Sequence, residues 1–288
     1  MTAGVETLSQ VAVARTRVPA IWRVVRAEFL KALRKRRTWF LVILYFIIGP
    51  LLQVLLRGTR ALDGVALASN NLNGILGNLW VRLAVLLVVT MVFIEDRPAR
   101  MWKSVLPIVP WRSQLLFGKV LAGFLLLGVL MLGSGLSSYL VGELVDALTP
   151  GQVRFSVRTS LVSLLTAYAG QWAGSIGYLG LCFLGGWLIT SPLVAVLILY
   201  LLPGLLEQGV NSGLGWYVGR FKPEGFDQVA ETIKGLLLTP NMEVGRYLVR
   251  ISGTNWSAAG HALLVSAGYA VICLGLLWLL FRRADIHN

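Results

Sequence analysis

The stretch that decides the fold is TSLVSLLTAYAGQWAGSIGYLGLCFLGGWLITSPLVAVLILYLLPGLL, residues 159 to 206, which contains no charged residue. At about 1.5 Å of rise per residue, a single helix of this length would reach about 70 Å. The hydrocarbon core of a bilayer is about 30 Å thick, so the run predicts two consecutive membrane spans. Glycine and proline favour turns, and the chain is expected to turn at Gly185-Gly186 or at Thr190-Ser191-Pro192.

The composition of the whole chain points the same way. Of its 288 residues, 56% are hydrophobic and 14% are charged, against about 45–50% and about 25% in soluble domains. With the two spans above, the other apolar runs predict an all-α polytopic membrane protein with six transmembrane helices. Residues 1–17 are expected to form a disordered cytoplasmic tail, and residues 18–288 a single transmembrane domain. The other four apolar runs cover residues 39–56, about 75–94, about 115–141 and 261–281.

The distribution of basic residues predicts the orientation. With the N-terminus in the cytoplasm, the cytoplasmic regions hold 16 basic and five acidic residues, and the external regions hold nine and eight. Positively charged loops stay on the cytoplasmic side, so both termini are expected there. The basic residues flank apolar spans and form no soluble basic domain, which excludes nucleic acid as a partner and leaves the lipid bilayer.

A basic amphipathic segment, residues 18–37, precedes the first span. Its apolar residues Trp22, Val25, Phe29 and Leu33 repeat at helical spacing, and most of its basic residues lie off that stripe. Such a helix lies in the headgroup plane with its apolar face in the bilayer. The alternative is a cytoplasmic helix that packs on protein.

An external segment, residues 207–260, precedes the last span. Apolar residues at positions 226, 229, 233, 236 and 237 follow helical spacing. Pro223 would begin this helix, and Gly235 or Pro240 would end it. A second short helix is expected over residues 242–251. Together they suggest a lid that dips into the outer leaflet; the alternative is an ordinary surface loop.

Enzyme motifs are missing from the sequence. HExxH, GxSxG and P-loop patterns do not occur, and the middles of the inferred spans hold no Asp or Glu. Ion-coupled carriers place an acidic group near the membrane midplane. Cys182 and Cys273 lie in apolar runs without metal-binding neighbours and are expected to be small buried hydrophobes. We therefore expect no catalytic residue, metal ion or cofactor in this chain.

Two sites inside the spans carry polar or small residues. Arg82 interrupts the second span; it is expected to reach the membrane surface or to pair with an external acid, and the alternative is contact with substrate. Gly170 and Gly174 form a GxxxG pair around Gln171, which favours close helix packing; lining a pathway is the alternative.

A cytoplasmic loop, residues 95–114, joins the second and third spans. Trp102, Leu106 and Trp111 are apolar residues exposed to the cytoplasm, so the loop is expected to bind a partner. The basic residues among them would orient that partner. An interfacial aromatic anchor is the alternative, and it accounts for Trp111 more easily than for the whole segment. These basic residues are Arg100, Lys103 and Arg112.

These features resemble the membrane subunit of an ATP-binding-cassette exporter of the type-2 permease family. Residues 26–38 are similar to the family's membrane-plane elbow helix, and the loop with Glu95, Leu106-Pro107, Pro110-Trp111-Arg112 and Gly118-Lys119 is similar to the segment that docks on the ATPase. The helical external segment is a third similarity. The family often has Gly-Thr in the loop, where this chain has residues 100–103, Arg-Met-Trp-Lys.

The resemblance implies a permease that pairs with a second copy or a homologous permease around a substrate pathway in a bacterial cell membrane. It also implies a separate ATPase subunit, which would hold the ATP and magnesium and bind the cytoplasmic loop. Lipid, peptide, antibiotic and drug substrates remain open. The alternatives are a secondary carrier and an intramembrane enzyme, neither with a separate ATPase.

Overall fold

A computed structural model of the protein describes residues 20–57, 64–72, 74–96, 112–148, 161–221, 226–249 and 254–283. Within these residues the regular structure is entirely helical, which confirms the all-α class. The first helices are α1 (Ala20–Arg34), α2 (Arg36–Arg57), α3 (Gly64–Asn70), α4 (Gly74–Val92) and α5 (Arg112–Leu148), with a 3-10 turn at Ile94–Asp96. The others are α6 (Leu161–Gly174), α7 (Ile176–Leu188), α8 (Pro192–Phe221), α9 (Phe226–Gly235), α10 (Leu238–Met242), α11 (Val244–Leu248) and α12 (Trp256–Arg283).

Several of these helices are suited to a membrane. Among the described residues, four stretches are long and apolar enough to cross a bilayer: Arg36–Leu55, Ser113–Leu148, Pro192–Phe221 and Trp256–Arg283. The expected second span falls on the shorter apolar stretch Asn78–Val92 of α4. The expected fourth span is divided between α6 and α7. The chain is thus a polytopic helical membrane protein.

The long uncharged run turns at one of its two expected places. Helix α7 ends at Leu188, and α8 begins at Pro192. Proline suits the first position of a helix because the N–H that it lacks would have no partner within the helix. The other expected turn is wrong, because Gly185 and Gly186 lie inside α7. A further break, at Ser175, separates α6 from α7 and was not expected.

The expected external segment begins inside a helix. Helix α8 continues through Glu207 to Phe221, so position 207 does not end the fifth helix. Helix α9 then ends at Gly235, one of its two expected ends. Helix α11 lies within the range expected for the second short helix, residues 242–251, and α10, which meets it at Glu243, was not expected as a separate helix.

Helix α5 organises the first half of the fold, because it contacts α1, α2, α3 and α4. It is 37 residues long, about 55 Å. Helix α12 packs along α7. An aromatic contact joins the two halves, because the ring centroids of Phe93, after α4, and Phe183, in α7, are 5.2 Å apart. Within the second half, the ring centroids of Trp187 in α7 and Phe281 in α12 are 5.4 Å apart.

Candidate coupling site and intramembrane polar contacts

A buried ion pair joins α1 to α5. Lys119 Nζ donates a hydrogen bond to Glu28 Oε1 and another, 2.9 Å long, to the backbone oxygen of Val92 at the end of α4. The second oxygen of Glu28 accepts a hydrogen bond from Lys31 Nζ at 2.8 Å. Burying charges is costly unless they are paired and hydrogen-bonded, and these contacts meet that condition. The carboxylate of Glu28 thus fixes α1 where α4 and α5 meet.

A second ion pair involves Lys35, the residue between α1 and α2. Lys35 Nζ lies 2.5 Å from Glu95 Oε2 in the 3-10 turn that follows α4. Glu95 is the first residue of the loop predicted to be cytoplasmic, residues 95–114, and Lys119 lies on α5 just after that loop. The α1–α2 region therefore holds both chain segments that flank the loop.

The loop residues expected to bind a partner lie mostly outside the described residues. This applies to Arg100, Trp102, Lys103, Leu106 and Trp111. Arg112 is the first residue of α5, and its side chain is also outside the description. Their role as a binding surface stays a prediction.

The four residues of the expected apolar stripe of α1 differ in burial. Val25 is buried and Phe29 is half-buried, whereas Trp22 and Leu33 are each 53% exposed. The face that packs on the protein is formed by Val25, Glu28 and Ala32, all buried. At the crossing with α5, a Cβ on Gly118 would lie 2.7 Å from Val24, so glycine permits the close approach. Helix α1 therefore packs on protein along one side and leaves large apolar side chains exposed elsewhere.

Arg82 joins three helices. Its side chain is 8% exposed, and its Nη2 donates to Thr239 Oγ1 of α10 at 2.6 Å. Its Nη1 lies 3.4 Å from the backbone oxygen of Tyr200 in α8. The backbone N–H of Thr239 donates to Glu207 Oε1 at 2.8 Å, so Arg82 reaches an acidic group through Thr239.

Gln171 connects α6 to the junction of α10 and α11. Its Nε2 donates to the backbone oxygen of Met242 at 2.5 Å, and its Oε1 accepts from the N–H of Gly245 at 3.0 Å. The side-chain amide of Gln171 thereby pairs with one backbone carbonyl and one backbone N–H that the break between α10 and α11 leaves free. Gly170 and Gly174 face Leu248 and Val244, at distances that leave no room for a larger side chain.

The break between α6 and α7 contains a hydroxyl group from α12. Ser266 Oγ accepts a hydrogen bond from the N–H of Gly177 at 3.0 Å and donates one to the backbone oxygen of Gly174. In lipid, backbone groups released by a helix break need partners from the protein. Ser266, which is fully buried, supplies both.

A polar cluster that sequence reasoning missed lies beside α3. Gln53 Nε2 donates to Asn71 Oδ1 at 2.8 Å, and Asn71 Nδ2 lies within hydrogen-bond distance of the Ser134 and Ser138 hydroxyls. Trp80 Nε1 also donates to Ser134, at 3.2 Å. The available signal was Gln53, an amide inside the first apolar run.

Candidate metal ligands and thiols are the remaining side chains to place. Within them, no three His, Cys, Asp or Glu side chains come together as metal ligands. Cys182 and Cys273 are both buried free thiols. The described contacts connect helices, through ion pairs beside the loop and through hydrogen bonds between the spans.

Comparison with known proteins identifies the family. No curated protein sequence matches the chain. The family model for ABC-2 family transporter proteins matches residues 24–204, a range that begins in α1 and ends within α8. The match includes Glu28, Lys35, Glu95 and Lys119, the four residues of the ion pairs beside the loop. The chain belongs to the ABC-2 family of transporter proteins and is a membrane permease of an ATP-binding-cassette transporter.

Proposed function

We propose that this chain is the membrane subunit of an ATP-driven exporter, with both termini in the cytoplasm of a bacterial cell. It pairs with a second permease around a substrate pathway. A separate ATPase subunit binds its cytoplasmic loop, residues 95–114. ATP and magnesium act on that subunit, and this chain itself catalyses no reaction.

The observation that carries the proposal is the pair of salt bridges beside the loop. Glu28–Lys119 and Lys35–Glu95 connect the α1–α2 region to the segments on both sides of residues 97–111. A displacement of the loop would therefore act on α4 and α5 directly and on α1 and α2 through the two ion pairs. ATP drives such a change only if the ATPase binds the permease with different affinity in its two states.

Purification of the tagged protein from its own membranes tests the partner. We expect an ATPase with a Walker A motif to copurify and to hydrolyse ATP in the complex. Trp102→Ala with Leu106→Ala should remove it, because a lost anchor residue costs about 2 kcal/mol or more at an interface. The matched control is Leu264→Ala with Val271→Ala, which shortens two side chains of α12 that are 75% and 73% exposed.

Three results would contradict the proposal. One is a purified protein that transports without an ATPase subunit. Another is a loop variant that keeps both its ATPase and its transport. The third is equal loss of the ATPase in the loop variant and in the α12 control, which would indicate a general assembly defect.

A further inference from the structure

An apolar groove lies where α1 turns into α2. Its volume is about 170 Å³, and four helices contribute to its lining. Leu33 comes from α1, Trp39 and Phe46 from α2, Met91 from α4 and Val129 from α5. The lining is almost wholly apolar, so the groove suits a hydrocarbon ligand and not a polar one.

The dimensions of the groove suit a slender group. Thr38 and Phe46 both line it and are eight positions apart in α2, which corresponds to about 12 Å along the helix. Pockets that enclose drug-sized ligands have volumes of about 300–1,000 Å³, well above the value here. Part of a single acyl chain is long and thin enough to lie in this groove.

Positive charge is concentrated at one end of the groove. Arg34, Arg36 and Arg37 lie between Leu33 and Thr38 in the sequence, and all three are exposed. Trp39 Nε1 donates to the backbone oxygen of Leu33 at 2.8 Å, which closes the turn that carries these arginines. Guanidinium groups bind phosphate through paired hydrogen bonds. A ligand that has both an anionic phosphate group and a hydrocarbon chain therefore matches the arginines and the adjacent apolar groove.

We propose that the groove binds an acyl chain of an anionic phospholipid whose headgroup lies at Arg34, Arg36 and Arg37. Clustered basic residues next to a membrane helix attract anionic lipids. A basic cluster alone does not fix where the acyl chain lies, whereas the groove gives the acyl chain a defined position. Bound there, the lipid would contact α1, α2, α4 and α5, the helices that the two ion pairs connect. The lipid site does not depend on the exporter proposal.

Lipid retention by the purified full-length chain tests the site. The protein is exchanged into nanodiscs of phosphatidylcholine with a minor fraction of phosphatidylglycerol, and its retained lipids are measured by mass spectrometry. We expect phosphatidylglycerol to be enriched. Replacing Arg34, Arg36 and Arg37 by Gln should abolish the enrichment, because each arginine lost weakens the binding of an anionic lipid about fivefold. The charge control is Arg282→Gln with Arg283→Gln, two exposed residues at the end of α12.

Filling the groove gives an independent measurement. Val129→Trp should reduce phosphatidylglycerol retention, whereas Leu132→Trp should not, because Leu132 is exposed on the same helix but does not line the groove. In addition, brominated phosphatidylglycerol should quench tryptophan fluorescence more than brominated phosphatidylcholine at equal mole fraction. That difference should shrink in Trp39→Phe. The quenching measurement remains informative if Val129→Trp folds poorly.

The proposal is overturned if the wild-type protein retains both lipids in proportion to their supply, since the groove would then hold ordinary bilayer lipid. Equal loss in the arginine variant and the α12 control would mean a general charge effect. A change of oligomeric state in Val129→Trp with unchanged lipid retention would place a second copy in the groove. An unchanged quenching difference in Trp39→Phe would also count against the site.

Discussion

Glu28 in α1 and Lys119 in α5 form an ion pair in which the side chains are 9% and 5% exposed. The two residues are 91 positions apart. Removing one partner of a buried pair costs about 3–5 kcal/mol because the other charge stays buried without compensation. The contact between Glu28 and Lys31 keeps part of that compensation if Lys119 is lost.

Lys119→Met is therefore expected to destabilise the protein by about 3 kcal/mol, the lower end of the range for buried pairs. The measurement is thermal unfolding of the purified protein, followed by tryptophan fluorescence. Lys234→Met serves as the control, because Lys234 pairs with Glu231 on the surface, where such pairs contribute about 0–1 kcal/mol. Adding Glu28→Gln to Lys119→Met should recover part of the loss. Equal midpoints for the two lysine variants would contradict this account.

Ser266→Ala is expected to destabilise the protein by about 1–3 kcal/mol. The change leaves the N–H of Gly177 and the backbone oxygen of Gly174 without the hydroxyl that binds them, and unmade hydrogen bonds are costly when buried. Ser257→Ala, near the exposed start of α12, should change stability by less than about 0.5 kcal/mol. Hydrogen exchange of the Gly177 amide provides a local measurement: it should become faster in Ser266→Ala alone.

Gly174→Ala is expected to destabilise the protein by about 1–3 kcal/mol, because the added methyl group would overlap the side chain of Val244. Val244→Ala in the same chain should recover part of that loss by making room. The control is Gly268→Ala in α12, where a Cβ meets open space. Alanine is the better helix former, so this change should be neutral or stabilising. Similar unfolding midpoints for Gly174→Ala and Gly268→Ala would show that the α6–α11 contact is loose.

The orientation is tested by cysteine labelling in intact cells. A membrane-impermeant maleimide should label Gly213→Cys, an exposed position in α8 with open space around it. It should label Ser104→Cys only after the cells are opened. The native Cys182 and Cys273 are buried, so they should contribute little background. Labelling of Ser104→Cys in intact cells would reverse the predicted orientation.

Much of the architecture could be predicted from the sequence because apolar length is a local property. A run of residues enters a bilayer according to its own hydrophobicity, whatever it later packs against. The uncharged run, residues 159–206, therefore predicted two spans, and Pro192 marked the turn that the structure contains. Helix α8 passes Glu207 without ending, since one charged residue does not stop a helix whose backbone hydrogen bonds continue.

Only the tertiary structure decided which polar groups pair with each other. Ser266 is 89 residues from Gly177, and Gln171 is 74 residues from Gly245, so no local pattern connects them. The face of α1 that packs on α5 also contains Glu28, a residue that an apolar stripe leaves out. Hydrophobicity is a property of each segment alone, which is why the sequence predicted which segments are apolar helices. A hydrogen bond or ion pair requires two groups at one place, and that is decided only when the helices pack together.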